Sequence, residues 1–386
     1  MGATRLHAAG QPGSAIQPGF EDLLTLIAER RDNFQINKKI DRDVSDMMKA
    51  VGIYRILVAK RFGGDEMTLS DFLRKVERIA AVDGSAGWVA SFGVAAIYLS
   101  ALPLATLDEL YANGPDIAFA GGNLPSQQAF RTEGGGLRIN GRWSWGSGCS
   151  SADVIGLGIE IHDPEKGVLP LMGLVPRSKV VIEENWNVSG MRGTGSFDVR
   201  VDNQVIPESW TFARGAPSSL DEPLYRYPVM AVSAMALSVV NLGIARGAID
   251  ELVGMAKGRT SLTGGVSFAN RPSVQIEVAK AEALLRSARA YFFETCDEGY
   301  ARCVAGDSFD DHDLAMLRLA GTNAAHSAFE VVRRIYTIAG TTGIYQGTRI
   351  NQAMLDAMVI PQHAFIGDTT WQVYGASILG VPPSGL

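Results

Sequence analysis

The sequence is poor in the residues that hold metals or staple small domains. Cysteine occurs three times in 386 residues, at Cys149, Cys296 and Cys303, and histidine five times. An odd set of cysteines without ligand spacing gives neither a disulfide framework nor a zinc site. The expectation is a reducing, cytoplasmic setting and no metal. Positive charge is not clustered: no Lys/Arg run exceeds two, and the net charge is −6. That balance argues against a nucleic-acid partner. The opening "MGATRLHAAGQPGSAIQPG" (1–19) has no continuous apolar segment, so no secretory leader is expected, and its Gly, Pro and Ser content reads as a flexible arm. One long charge-free run exists, "YPVMAVSAMALSVVNLGIA" at 227–245. With its serines and Asn241 it reads as the central helix of a bundle rather than a membrane span.

Nucleotide and hydrolase signatures are missing as well. No GxGxxG follows a strand pattern and opens a helix; "GTGSFD" at 193–198 and "GSGCSS" at 146–151 lie in strand-like context, which does not support a Rossmann site. There is no Walker loop, no HExxH and no GxSxG elbow. The acidic "DDHD" at 310–313 reads as the start of the following helix, whose N-terminus it complements, rather than as a metal cluster.

What is present falls into three blocks. Residues 20–115 have helical periodicity. Phe20, Leu23, Leu24 and Ile27 share a face, Ser70 is placed as the N-cap of "DFLRKVERIAAV", and Gly84 as its stop. Over 116–215 the period becomes two. Phe197, Val199 and Val201 are expected inward, Asp198, Arg200 and Asp202 outward, and Leu137 and Ile139 on one face, as in a small antiparallel barrel or sandwich. Over 216–386 long helices return, from Pro272 to Ala305 and from Asp313 to Ala339 with Gly340 as the stop, as in a four-helix bundle. The fold class is α+β: a helical N-terminal domain, a central antiparallel β-domain and a C-terminal helical bundle.

Four stretches in this frame carry a resemblance. They are "RFGGDEMTLSDFLRKVERIAAVDGSAGWV" (61–89), "GGNLPSQQAFRTEGGGLRINGRWSWGSGCSSADV" (121–154), "WNVSGMRGTGSFDVRVDNQVIP" (186–207) and "TGIYQGTRINQAMLDAMVIPQHAFIGD" (342–368). Together they resemble the acyl-CoA dehydrogenase superfamily, and within it the oxygenase components of two-component flavin-dependent monooxygenases. The resemblance implies an acyl-CoA dehydrogenase-like fold over nearly the whole chain, with the flavin between the β-domain and the bundle. It also implies FMN supplied as FMNH2 by a separate flavin reductase, FADH2 being the other option. A homotetramer is implied by the same resemblance, whereas the expectation of no membrane rests on the 227–245 run. The implied reaction forms a flavin C4a-hydroperoxide with O2 and hydroxylates a small aromatic substrate, phenolic or indole-type.

The resemblance carries over residue by residue. Trp145-Gly146-Ser147 takes the place of the superfamily's Trp-Ile-Thr, which puts the indole beside the flavin and the Ser147 hydroxyl near flavin N5. One oriented hydrogen bond there is worth ~1–3 kcal/mol of protection against premature peroxide loss; the structural alternative is a serine satisfying a turn. Asn123, with Pro125, matches the loop at the flavin's pyrimidine edge. Arg192, Thr194 and Ser196 of "GMRGTGS" fall near the same ring, Arg192 alternatively clamping its own loop. Arg259 matches an arginine that reaches a flavin phosphate across a subunit interface, or is an exposed helix-end residue. Trp88 and His363 are the substrate-pocket residues, Trp88 otherwise being core. His363 follows Asp356 by the seven residues of the oxygenase branch, and a neutral imidazole can take the proton of a phenol or ring N–H. Ser147 and His363 are thus the catalytic pair, whereas His326 is read as core. One departure is Leu355, which stands where the family has an arginine before the aspartate.

The other readings are an N- or S-oxygenase of the same fold, an acyl-CoA dehydrogenase-like FAD dehydrogenase or oxidase, and a non-catalytic flavin-binding protein. Dehydrogenation needs a carboxylate base. Just past Asp356 the chain has His363-Ala364 instead, and 227–245 holds no Asp or Glu. "IYQGT" at 344–348 looks like the dehydrogenase motif with an amide for the acid. It precedes Asp356 instead of following it, so Gln346 is read as lining a loop near the pocket or a subunit contact.

Overall fold

A computed structural model describes residues 18–165, 167–258 and 266–382. The arm expected over 1–19 falls almost wholly outside them, and so does Arg259. The chain opens with helices α1 (Phe20–Asn37), α2 (Arg42–Ala50), α3 (Leu69–Val82), α4 (Gly84–Ser91), α5 (Ala95–Leu99) and α6 (Leu104–Leu110). Leu23, Ile27 and Phe34 form the buried face of α1, with Phe20 and Leu24 half-covered at its rim.

Two expected helix boundaries are corrected. The N-cap of α3 is Thr68, not Ser70: Thr68 Oγ1 accepts from the Asp71 N–H at 3.1 Å, and Asp71 Oδ2 accepts from the Thr68 N–H at 3.3 Å. The reciprocal pair starts the helix two residues earlier and satisfies both free donors. The Ser70 hydroxyl turns away and donates to Asp297. Gly84 is not a stop either, because α3 ends at Val82 and Gly84 is the first residue of α4. Asp83 caps α4 by accepting the Ala86 N–H at 2.9 Å. Gly84 is small for a packing reason: a Cβ there would lie 2.8 Å from Ile244 Cδ1 and 3.2 Å from Asp356 Oδ2.

Strands β1 (Phe119–Gln128), β2 (Phe130–Arg131), β3 (Leu137–Gly146), β4 (Val154–Asp163), β5 (Gly167–Pro176), β6 (Val181–Glu183), β7 (Phe197–Ile206) and β8 (Thr211–Ala213) form one sheet. Its order is β6-β7-β3-β1-β4-β5-β8, with β2 on β3. On β7 the alternation holds, with Phe197, Val199 and Val201 buried and Asp202 exposed. Burying each of those side chains stabilises by about 1.5–3 kcal/mol. Trp143 sits fully buried beneath them and donates its indole N–H to Gly158 O at 2.8 Å. One pairing departs from the antiparallel expectation: β1 and β4 are parallel. The cause is topological. β3 runs back along one edge of β1, and the turn at 147–153 carries the chain across the start of β1 to its other edge, where the Asp153 N–H meets Ala118 O at 2.8 Å.

The C-terminal part consists of α7 (Val229–Gly258), α8 (Pro272–Ala305), α9 (Asp311–Ala339), α10 (Arg349–Ala357) and α11 (Asp368–Leu379). The charge-free run lies in α7, which packs against α3, α4, α9 and α10. Backbone contact sets its small residues: a Cβ on Gly243 or Gly247 would lie 2.3 Å from Glu77 O or Ala81 O of α3. "DDHD" starts α9 through a capping box between Asp310 and Asp313.

Candidate active site

The β3 strand delivers the first part of the site. At its end Trp145 adopts φ 63°, a left-handed conformation rare for an aromatic residue, which turns its ring outward to 61% exposure. Leu124, also exposed at 53%, belongs to β1 and pairs with Ser144, the neighbour of Trp145. Asn123 is exposed on the same β1 segment, where the register with β4 shifts.

Behind this apolar rim lies a chain of buried hydroxyls. Ser147 Oγ and Ser196 Oγ are 2.6 Å apart, as are Ser196 Oγ and Thr194 Oγ1. Thr194 donates to the Met191 carbonyl at 2.8 Å. Each hydroxyl has one proton, so the direction of the whole chain follows. Thr194 uses its proton on Met191, Ser196 must therefore donate to Thr194, and Ser147 to Ser196. Ser147 Oγ is left with free lone pairs and faces its surroundings as an acceptor. An exposed apolar platform edged by a buried acceptor suits a flat, largely apolar ring with a polar N–H, and a flavin meets that description.

The 190–196 loop is held from behind. Arg192 donates from Nε to Gln35 O at 3.2 Å and from Nη1 to Val188 O at 3.4 Å, the bonding of a clamp on its own loop. Gly190 and Gly193 serve protein packing: a Cβ would lie 1.9 Å from Leu355 O at Gly190 and 2.7 Å from Phe34 Cβ at Gly193. Met191, at φ 54°, points its N–H at Asp356 Oδ1, 2.5 Å away.

Trp88 and His363 come together across α4 and the segment after α10. Their ring centroids are 6.0 Å apart, edge to face, and the Phe365 ring meets His363 at 4.9 Å, also edge to face. Trp88 is buried, as the core reading of its ring expects. The next residue, Val89, lies 3.4 Å from the Cβ site of Gly148, which joins the Ser147 turn to the same helix. Burial lowers the His363 pKa below its ordinary value and favours the neutral ring. Its Nδ1 accepts the Phe365 N–H at 3.2 Å, so the tautomer assigned by this bond carries the proton on Nε2. His326 donates from Nε2 to Ile366 O at 3.1 Å beside Trp371 and stays within the bundle.

Sequence reasoning missed the acid group behind the loop. Asp356 is buried at 2% exposure and takes a second donor, Gln352 Nε2, at 2.7 Å. Burial, then the nearby Asp83 carboxylate, push its pKa up to about 7. No arginine stands at 355; Arg349, two turns before Asp356 on the same face of α10, donates to Val82 O. The seven-residue spacing from Arg349 to Asp356 was the available signal.

The profile of the family described as "Acyl-CoA dehydrogenase, C-terminal domain" matches residues 235–367. The chain is 47% identical to an indole-3-acetate monooxygenase from Pseudomonas putida, over 99% of each chain. It is 39% identical to an indole-3-acetate monooxygenase from Acinetobacter baumannii, over 96% of each. Among solved structures, a 3-HSA hydroxylase from Rhodococcus superposes with a TM-score of 0.88 at 25% identity, covering 95% of this chain and 97% of that one. A Paenibacillus TdsC in complex with FMN and indole shares the fold, with a TM-score of 0.81 at 18% identity and coverage of 95% and 98%. Identity of this extent along the whole length shows that the chain belongs to the acyl-CoA dehydrogenase superfamily as an oxygenase component of the flavin-dependent monooxygenases, an oxidoreductase that uses reduced flavin to incorporate one oxygen atom from O2.

Proposed function

We propose that the enzyme hydroxylates an indole ring bearing a short carboxylate arm, using FMNH2 delivered by a separate flavin reductase. Bound reduced flavin would supply the two electrons that activate O2, one oxygen atom of which goes to the substrate and the other to water. The observation that carries the substrate reading is the Trp88–His363–Phe365 aromatic cluster. It is joined by the names of the two relatives above.

The residues divide the work by hydrogen-bond polarity. Trp145 and Leu124 would cover a face of the flavin, with Asn123 at its polar edge. Ser147 Oγ is an acceptor, and reduced flavin is the redox form that carries an N–H at N5. Thr194 and Ser196 keep that polarity by passing donors away from Ser147. Arg192 holds the loop that carries them. His363 presents Nε2–H, so it complements a carboxylate oxygen on the substrate better than an indole N–H, which is itself a donor. This shifts its role from proton acceptor to orienting donor. Arg259 and assembly into a homotetramer belong to the same proposal.

Turnover with a generic flavin reductase and isotopically labelled O2 tests it. Expected is label in the hydroxylated indole-3-acetate, with indole itself a poorer substrate. Release of hydrogen peroxide alone, with no label in any indole or phenol, overturns the reading. For His363→Ala the KM for indole-3-acetate should rise at least about tenfold, as for loss of one charged-group hydrogen bond. The KM for indole should barely change; an equal rise for both removes the carboxylate contact.

A further inference from the structure

Behind the 190–196 loop, α3, α4, α7 and α10 line a small, partly open pocket of about 20 Å³. That is room for one water. Asp83, Gly84, Ile244, Arg349, Gln352 and Asp356 are among its walls. Two carboxylates therefore face one small volume, and both are buried, at 1% and 2% exposure. Among the described residues neither forms an ion pair within 4.0 Å. Arg349, in the same wall, directs Nη2 to Val82 O.

The two carboxylates are used asymmetrically. On each, one oxygen is committed as an acceptor. Asp83 Oδ1 takes the Ala86 N–H, and Asp356 Oδ1 takes Met191 N–H and Gln352 Nε2. The other oxygens are left over. Asp83 Oδ2 is buried without any partner. Asp356 Oδ2 lies over Gly84, the residue next to Asp83, 3.2 Å from where its Cβ would be. Two unpaired carboxylates cannot both stay ionised in such a space, since each buried charge is costly and the pair repels. A single proton on one of the leftover oxygens, with a water between, resolves both the repulsion and the unpartnered atom.

We propose that Asp83 and Asp356 form a buried acid pair that holds one proton and one water between them, and that Asp356 in this state is the positioning residue of the 190–196 loop. Its Oδ1 fixes Met191 through the backbone N–H, and the Met191 carbonyl in turn anchors Thr194, the last link of the hydroxyl chain to Ser147. The charged groups facing Asp356 are Asp83 at the α3–α4 junction and Arg349 on its own helix. Arg31 of α1 and Glu251 of α7 act on it through Arg349. With two carboxylates and one proton, the pair carries a single negative charge opposite these arginines.

Infrared spectroscopy of the ligand-free protein tests the pair. At neutral pH the wild type should show a protonated-carboxyl C=O band, and in Asp83→Asn and Asp356→Asn the remaining acid should lose its proton at lower pH, because the repulsion is gone while burial stays. No such band in the wild type, or a band with unchanged pH dependence in both variants, overturns the shared proton. Amide exchange tests the positioning role. Met191 should exchange at least about tenfold faster in Asp356→Ala. It should exchange close to wild type in Asp356→Asn, which keeps the acceptor; equal exchange in all three overturns that role. Where the alanine variant does not fold, stability against pH decides. Wild-type stability should fall as pH rises toward neutrality and that of Asp356→Asn should not; parallel profiles overturn the proposal. Every readout is on the ligand-free protein, so a failed substrate assignment leaves the pair untouched, and a failed pair leaves the substrate assignment standing.

Discussion

Two polar groups meet on one short loop and are built on opposite principles. On the sheet side, Ser147, Ser196 and Thr194 form a line of neutral hydroxyls ending at the Met191 carbonyl. On the helical side, Asp356 takes the same residue's N–H, and Asp83 shares a small pocket with Asp356. A hydroxyl line fixes direction at little cost, because each member is satisfied and none titrates near neutrality. A buried carboxylate gives a stronger, charge-assisted hold but makes the loop answer to pH. In the proposed function the oxygen chemistry falls next to the neutral set, with the titrating Asp356 behind it across the Met191 backbone.

The comparison can be broken at the point both sides share. Gly190→Ala should have the largest effect. Its Cβ would lie 1.9 Å from Leu355 O, so loop or helix must move, at a cost of about 3 kcal/mol or more. Denaturant unfolding with flavin titration checks this, and wild-type values for both would remove the packing argument. Asp356→Ala comes next. It strands Met191 N–H and Gln352, costing about 1–3 kcal/mol. That loss should be greatest in acid.

The sign follows from the proton count. The folded Asp356 pKa lies above its ordinary 3.8, at about 7, so the folded chain holds more protons than the unfolded one between these values. Stability from this group is full below that window and declines through it as pH rises. Ser196→Ala should cost about 1–2 kcal/mol by interrupting the hydroxyl line, with the same loss across neutral pH. A pH-dependent loss there would erase the distinction between the two sides. Ser147→Ala should change stability least, since Ser147 is only the terminal donor. Its signature is faster hydrogen peroxide release with flavin affinity nearly intact, measured by coupled peroxide assay; unchanged coupling would remove Ser147 from the chemistry.

Much of this was legible in the chain, for local reasons. The inward set Phe197, Val199 and Val201 follows from a period of two, and the long helices α8 and α9 from their period and end signals. Trp145 and Ser147 were marked by their flanking residues. Other features differ from the expectation. The cap of α3 went to the local Thr68–Asp71 pair while Ser70 turned to Asp297, and Gly84 opens α4 with the distant Ile244 and Asp356 packed over it. Gly190 and Gly193 are likewise set by distant neighbours, Leu355 and Phe34.

The sequence by itself determined the order of helical, β and helical blocks, the elements within them, and the family to which the chain belongs. Those properties depend on residue types and on neighbours within a turn or two. Only the tertiary structure decided that Ser147 ends its line as an acceptor, that His363 carries its proton on Nε2, and that Asp356, 165 residues from Met191, holds that residue's backbone. Hydrogen-bond direction and the protonation of a buried acid depend on what else is enclosed in the same few ångströms, and spacing along the chain does not carry that information.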